Sequence, residues 1–297
     1  MKILRVAVTG GSGYIGRRIV RQLCDLGHTV INMDLRAPAD PFGRHVRADL
    51  RQRSHVQPIL EQVDAVCHLA EIPNGPTPLS PEEHFIHNLT VGATVLKTAA
   101  DLKLQRVIYT SSCQVYGFWG KWVVFPPQCL PLDETHPSQP SNVYACAKVA
   151  NELFARMLAH TQGLSTAIFR LPSVWRHDEQ TGSQLGWFDG MTEGSDGCAT
   201  YVGLDDVARA YVLALEHPRP GCEIYHFSAA DVLSTLPLSK LIEKFYPSYP
   251  KLPANWPANK SPMNCDKAKE HFGWTPEFSA FDAFRKHFGR DPHPAKI

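Results

Sequence analysis

Through the first 170 residues, short runs of continuously apolar side chains alternate with longer stretches whose apolar positions recur every three or four residues. Ile3 to Val8, Thr29 to Met33, Asp64 to Leu69, Arg106 to Thr110 and Ser165 to Arg170 read as strands, and Tyr14 to Asp25, His55 to Gln62, Glu83 to Leu102 and Asn142 to Thr161 as helices. Strands that are apolar on both faces must be covered on both faces. Strands separated by helices join as parallel neighbours through right-handed crossovers. The pattern therefore predicts an α/β fold, a doubly wound parallel sheet, with its ligand at the carboxyl ends of the strands.

Beyond this region the rhythm is less regular. Trp119 to Pro140 is proline-rich and predicts a long loop over the active-site edge, and Arg176 to Thr200 is similar but glycine-rich. A helix at Asp205 to Glu216 and a strand near Glu223 to Phe227 follow, then shorter helices around a proline-rich piece from Tyr246 to Pro262. Residues 1–175 are thus expected to form the nucleotide-binding sheet. Residues 176–297 are expected to form a small C-terminal lobe that also lends a late strand and helix to that sheet.

Composition narrows the partners. A chain of 297 residues, 43% of them hydrophobic, can bury a sizeable core, and a net charge of +1 offers no basic track for nucleic acid or an anionic membrane. No apolar run reaches the roughly 20 residues of a membrane span, and the opening residues lead into a strand rather than a signal peptide, so a cytoplasmic location is expected. Eight cysteines without a C-x-x-C pair predict free thiols and neither zinc nor a disulfide.

Candidate chemistry gathers at two places. The first strand runs into Thr9-Gly10-Gly11-Ser12-Gly13-Tyr14-Ile15-Gly16 and then directly into a helix. Glycines at 10, 13 and 16 allow a tight turn, close approach of a pyrophosphate and close helix packing, with Tyr14 and Ile15 opening the helix. Asp34 ends the next strand, where a carboxylate accepts the hydroxyls of an adenosine ribose and repels a 2′-phosphate, so NAD is the expected cofactor. Arg36 stands where a phosphate-binding cation could sit. Asp49-Leu50 can set a carboxylate against an adenine amino group, or be a solvated turn.

The second place is Tyr144-Ala145-Cys146-Ala147-Lys148, a phenol and an ammonium one helical turn apart. A neighbouring cation lowers a phenol pKa and lets Tyr144 exchange a proton with a substrate hydroxyl. Thr110-Ser111-Ser112 ends the fourth apolar strand, and a hydroxyl at Ser112 can hold the substrate oxygen beside Tyr144.

In this order and spacing, these residues resemble the extended short-chain dehydrogenase/reductases, the NAD-dependent sugar epimerase/dehydratase family. The resemblance extends through His68-Leu69-Ala70, Asn88 with Val91-Gly92-Ala93-Thr94, Val115-Tyr116-Gly117, Arg170-Leu171-Pro172, Asp205-Asp206-Val207-Ala208 and Phe272-Gly273-Trp274-Thr275-Pro276. It implies a Rossmann sheet and a substrate-binding lobe. It makes Ser112, Tyr144 and Lys148 the catalytic set, and Leu69, Ala70, Thr110, Ser111 and Pro172 further cofactor contacts. It also implies a homodimer through the helices Glu83 to Leu102 and Asn142 to Thr161.

Two departures carry information. The family's 4,6-dehydratases hold an Asp-Glu pair directly after the catalytic hydroxyl, and Cys113 and Gln114 stand there in this chain, which disfavours dehydration. Glu71 replaces a small residue after His68-Leu69-Ala70, where an unpaired carboxylate would cost cofactor binding. The segment Arg176 to Thr200 lacks the basic and aromatic set that holds a nucleotide sugar. Trp119, Trp122, Trp175 and Trp187 can stack on a sugar or pack beneath their loops.

The expectation is an NAD-dependent oxidoreductase or epimerase acting at a secondary alcohol carbon of a sugar-like small molecule. A dehydrogenase of a free sugar, uronate or other small carbonyl compound that releases its product is the nearest alternative. A non-catalytic NAD(P)-sensing protein is a third, although such proteins typically lose the Tyr or Lys.

Overall fold

A computed structural model describes residues 2–104, 106–118, 125–175, 185–186, 189 and 196–294. Seven strands, β1 (Arg5–Thr9), β2 (Thr29–Asp34), β3 (Arg44–Arg47), β4 (Ala65–His68), β5 (Val107–Ser112), β6 (Thr166–Leu171) and β9 (Cys222–His226), form one sheet in the order β3-β2-β1-β4-β5-β6-β9. Every pairing is parallel. The continuously apolar strands are buried throughout, all four residues of β4 and all six of β5. They can be buried because helices cover both faces.

On one face lie α1 (Tyr14–Asp25) and α6 (Leu204–Glu216), and Ile19, Val20 and Leu23 meet Val207, Tyr211 and Leu215 over β1 and β4. On the other lie α2 (Arg53–Leu60), α3 (Pro81–Asp101) and α4 (Val143–Gln162). α3 starts where Ser80 and Glu83 satisfy each other's backbone N–H groups, at 3.2 and 2.8 Å, with Pro81 at its first position. α4 starts where Asn142 Oδ1 accepts from the Ala145 N–H at 2.8 Å, a cap worth about 1 kcal/mol. The two helices approach closely at Gly92, where a Cβ would stand 2.1 Å from Asn151 Nδ2.

The remaining described residues build a lobe beside β6. A short parallel pair, β7 (Ser173–Trp175) and β8 (Tyr201–Gly203), lies next to α5 (Asp196–Ala199), α7 (Leu238–Phe245) and α9 (Ala280–Phe288). Tyr116, Phe118, Trp175, Tyr201, Tyr249 and Phe284 share one apolar cluster there. α8 (Asp266–Phe272) leads to Trp274, whose indole N–H donates to the Asp206 carbonyl at 2.9 Å. The Asp206 carboxylate accepts from the backbone N–H of Glu277 and Phe278 at 3.0 and 2.9 Å, which fastens the C-terminal segment to α6.

Candidate active site

The carboxyl ends of β1, β2, β4 and β5 open onto a cleft of about 630 Å³. Gly10, Gly13, Tyr14, Ile15 and Gly16 line one side. Gly10 has φ +70°, and a Cβ there would stand 2.9 Å from the Ala70 backbone; a Cβ on Gly16 would stand 2.2 Å from the Gly10 carbonyl oxygen. The turn thus excludes side chains, and bare backbone meets the cleft. Gly13 caps α1 without a side-chain bond, and the first turn carries no acidic residue, so the positive end of the helix suits a pyrophosphate. Thr9 Oγ1 meets His68 Nδ1 at 2.6 Å and accepts from the Leu69 and Ala70 N–H groups at 3.1 and 3.2 Å, which aligns the end of β4 with that of β1.

Asp34 closes the far end of the cleft. Its carboxylate accepts from the backbone N–H of Ser12 at 3.2 Å and of Arg36 at 3.0 Å, so it joins the glycine turn to the turn after β2. Lone pairs remain on both oxygens for two ribose hydroxyls. Arg36, Asp49 and Leu50 line the same end. Asp49 is committed locally: Arg51 donates to it at 2.9 and 2.8 Å and Gln52 at 3.1 Å, and the Arg51 guanidinium holds its carboxyl well below the usual carboxylate range. An adenine amino group would share those oxygens with Arg51. These residues fit NAD: a cradle that any Cβ would fill, an uncapped helix end and a ribose-facing carboxylate.

At the other end, the Asn142 cap sets Tyr144 in the first turn of α4 and Lys148 one turn later. Lys148 Nζ donates to the Thr110 carbonyl at 2.6 Å, lies 2.8 Å from Glu71 Oε2 and sits 5.3 Å from the centre of the Tyr144 ring. The Tyr109 hydroxyl donates to Glu71 Oε1 at 2.8 Å. Burial opposes the Lys148 charge, yet Glu71 and Tyr144 together raise its pKa. Ser112 Oγ accepts from the Gln114 N–H at 3.2 Å and favours the Tyr144 phenolate through a hydrogen bond.

The expected depression of the Tyr144 pKa is reversed in this structure. Crowding by surrounding protein raises it, and the lowering by Lys148 is offset further by Glu71. Two expected contacts are also placed elsewhere. Ser111 faces away from the cleft and donates to Glu152 Oε1 at 2.5 Å, because successive strand side chains alternate between faces. Pro172 is buried at the end of β6 and does not line the cleft. Thr110, Leu69 and Ala70 do line it, as do Ile72, Pro73, His87 and Val91, whose apolar or isolated character carries no signal in the sequence. Asn88 is structural: its amide exchanges hydrogen bonds with the Ile72 backbone at 2.9 and 2.8 Å. Trp175 is buried and packs on Tyr201 at 5.7 Å between ring centres, whereas Trp119, Trp122, Trp187 and Arg176 lie outside the described residues.

A parallel sheet in this strand order, with a glycine turn after β1 and a Tyr-Lys helix beside β5, defines an NAD-dependent enzyme of the extended short-chain dehydrogenase/reductase type. The chain belongs to the NAD dependent epimerase/dehydratase family, whose model matches residues 6–183. It is 24% identical to a UDP-glucose 4-epimerase of Lacticaseibacillus casei over 94% of both chains, and 29% identical to cinnamoyl-CoA reductase 1 of Oryza sativa subsp. japonica over 82% of this chain and 77% of that one. The fold superimposes on that of the Bordetella bronchiseptica enzyme WbmH, solved in complex with NAD+, with a TM-score of 0.70 at 22% identity, over 97% of this chain and 100% of the other. No described helix is long and apolar enough to cross a membrane.

Proposed function

We propose that this protein moves a hydride at a secondary alcohol carbon of a sugar or nucleotide sugar, with Tyr144 as acid/base, Lys148 as its charged neighbour and Ser112 as the hydroxyl that steadies the substrate oxygen. The observation that carries the reading is that Tyr144 and Lys148 line the same cleft as the Gly10 to Gly16 cradle, with Ser112, outside the lining, reaching Tyr144 through a side-chain hydrogen bond. The epimerase name of a relative covering nearly the whole chain supports a sugar substrate.

When bound, NAD supplies the hydride acceptor. The protein's part is proton transfer and placement. During oxidation the Tyr144 phenolate takes the proton of the substrate hydroxyl as the carbon gives up its hydride, and during reduction the phenol returns it to the carbonyl oxygen. Lys148, with two of its protons directed to Thr110 and Glu71, has one left for a ribose hydroxyl. The two residues after Ser112 offer no acid for dehydration. The buried Cys113 thiol is pushed well up by burial, and Gln114 Oε1 accepts from the amides of Asn74 and Asn142 at 2.8 and 3.0 Å.

A dehydrogenase that releases its product is the second reading, favoured by the cinnamoyl-CoA reductase relative. Identifying the nucleotide freed when the purified protein is denatured separates the two. Retained NAD supports epimerisation, in which the same cofactor oxidises and re-reduces, and an empty site supports a dehydrogenase that exchanges its cofactor. A homodimer belongs to the same proposal, because α3 and α4 leave Ile86, Leu153 and Met157 exposed at 60%, 58% and 42% on their outer faces.

NAD should bind more tightly than NADP, since a 2′-phosphate would face the Asp34 carboxylate. Asp34→Ala should lose about 1.5 to 3 kcal/mol of NAD binding, or about 10- to 150-fold, and discriminate less against NADP. Fluorescence titration with both cofactors checks this, and equal native affinities would make Arg36 the specificity residue instead.

A further inference from the structure

Glu71 is a buried carboxylate in the wall of the cleft, with its side chain only 3% exposed. It arrives from the segment after β4 and is held from two other elements, by the Tyr109 hydroxyl of β5 at 2.8 Å and by Lys148 of α4 at 2.8 Å. We propose that Glu71 is a positioning residue: its ion pair fixes the Lys148 ammonium between Thr110 and the cleft and cancels part of that cation's field at Tyr144, so that Tyr144 rests as the proton-donating phenol. This rests on Tyr144 being the acid/base.

The electrostatic argument follows from the groups that face the pair. From β4 comes His68, pushed down to about 3 by burial and by Lys148, and therefore neutral. From α3 come His84, whose Nε2 lies 2.9 Å from the Ile72 carbonyl, and His87, lowered by burial. From β5 and the turn after it come Tyr109 and Cys113, both raised well above their ordinary values by burial. From α4 comes Glu152, already paired with Arg170. Lys148 and Glu71 are thus the opposed charges that act on Tyr144. Lone cation and phenol at roughly 5 Å, in an effective dielectric of about 20, would lower a phenol pKa by about two pH units. The adjoining carboxylate removes much of that effect, and burial raises the Glu71 pKa without separating it from Lys148.

The test needs no substrate. The ultraviolet phenolate titration of the protein without nucleotide, minus that of Tyr144→Phe, isolates the Tyr144 midpoint. Glu71→Gln keeps the shape and removes the charge, and should move this midpoint to lower pH by about one to two units. Glu71→Asp should leave it near the native value. Should the Gln variant not fold, Glu71→Ala removes the charge with a smaller side chain and should shift the midpoint in the same direction. The alkaline rise of oxidation rate should shift in parallel. An unchanged midpoint in folded Glu71→Gln or Glu71→Ala protein, or one that moves upward, overturns the proposal. Full turnover by Tyr144→Phe would instead overturn the acid/base reading, and the midpoint would still report on Glu71, so the two failures are distinguishable.

Discussion

Tyr144→Phe should fold, bind NAD and fail to turn over. The substitution removes one hydroxyl from a half-buried ring, so the thermal midpoint and NAD titration should stay close to native, while kcat falls by about 10²- to 10⁴-fold, the cost of a lost general acid/base. A residue that only packs α4 against its neighbours would behave in the opposite way, losing stability without a selective loss of rate. Oxidation needs the phenolate and reduction the phenol. Because burial holds the Tyr144 pKa above the ordinary phenol value in the free protein, oxidation should climb with rising pH and reduction should decline on the alkaline side. A cationic nicotinamide bound beside the phenol would lower the midpoint without changing either direction. Lys148→Ala removes the lowering charge and should move the oxidation rise to higher pH. A Tyr144→Phe enzyme that turns over any sugar alcohol, uronate or nucleotide sugar at the native rate would remove the central claim.

Glu152→Ala should produce the largest loss of stability. Glu152 lies one turn beyond Lys148 on α4 and accepts from Arg170 Nε at 3.0 Å and Nη2 at 2.6 Å and from Ser111 at 2.5 Å, with both charged side chains only 4% exposed. Arg170 also donates to Ser138 at 2.9 Å and lies 4.8 Å from the centre of the Tyr116 ring, so it joins β6, α4 and the loop before α4. Removing the carboxylate leaves a guanidinium buried and uncompensated, which costs about 3 to 5 kcal/mol. Replacing both partners together, as Glu152→Leu with Arg170→Met, should recover most of that loss because no charge is then stranded. Urea denaturation of the three proteins measures both effects. A single-variant loss under about 1 kcal/mol would show that water or a shifted side chain satisfies Arg170.

How much of this was legible in the chain differs from element to element. α1 begins and ends where the sequence predicts, Tyr14–Asp25, because glycines set one end and the apolar period sets the rest. The edge strand β3, Arg44–Arg47, has a single aliphatic residue, and the β7–β8 pair consists of two three-residue strands far apart in the chain. Such elements are made by pairing with neighbours, so no local pattern announces them. Alternation along β5 puts Thr110 and Ser112 on one face and Ser111 on the other, so the strand period alone separates Ser111 from its two neighbours.

By itself, the sequence determined the doubly wound sheet, the glycine cradle with Asp34 across from it, and the pairing of Tyr144 with Lys148. Each is a short-range matter of strand and helix periods, backbone clearance and a one-turn spacing. The tertiary structure alone decided the charge state that those groups meet. Glu71 reads in the chain as an anion standing in the way of a cofactor, and becomes a paired ion only because β5 brings Tyr109 and α4 brings Lys148 to it. Tyr144 reads as a phenol lowered by a lysine, and is raised because the folded chain crowds it with protein and sets a carboxylate beside that lysine. Desolvation and long-range charge depend on what surrounds a group in space, and that is fixed only once strands distant in sequence lie side by side.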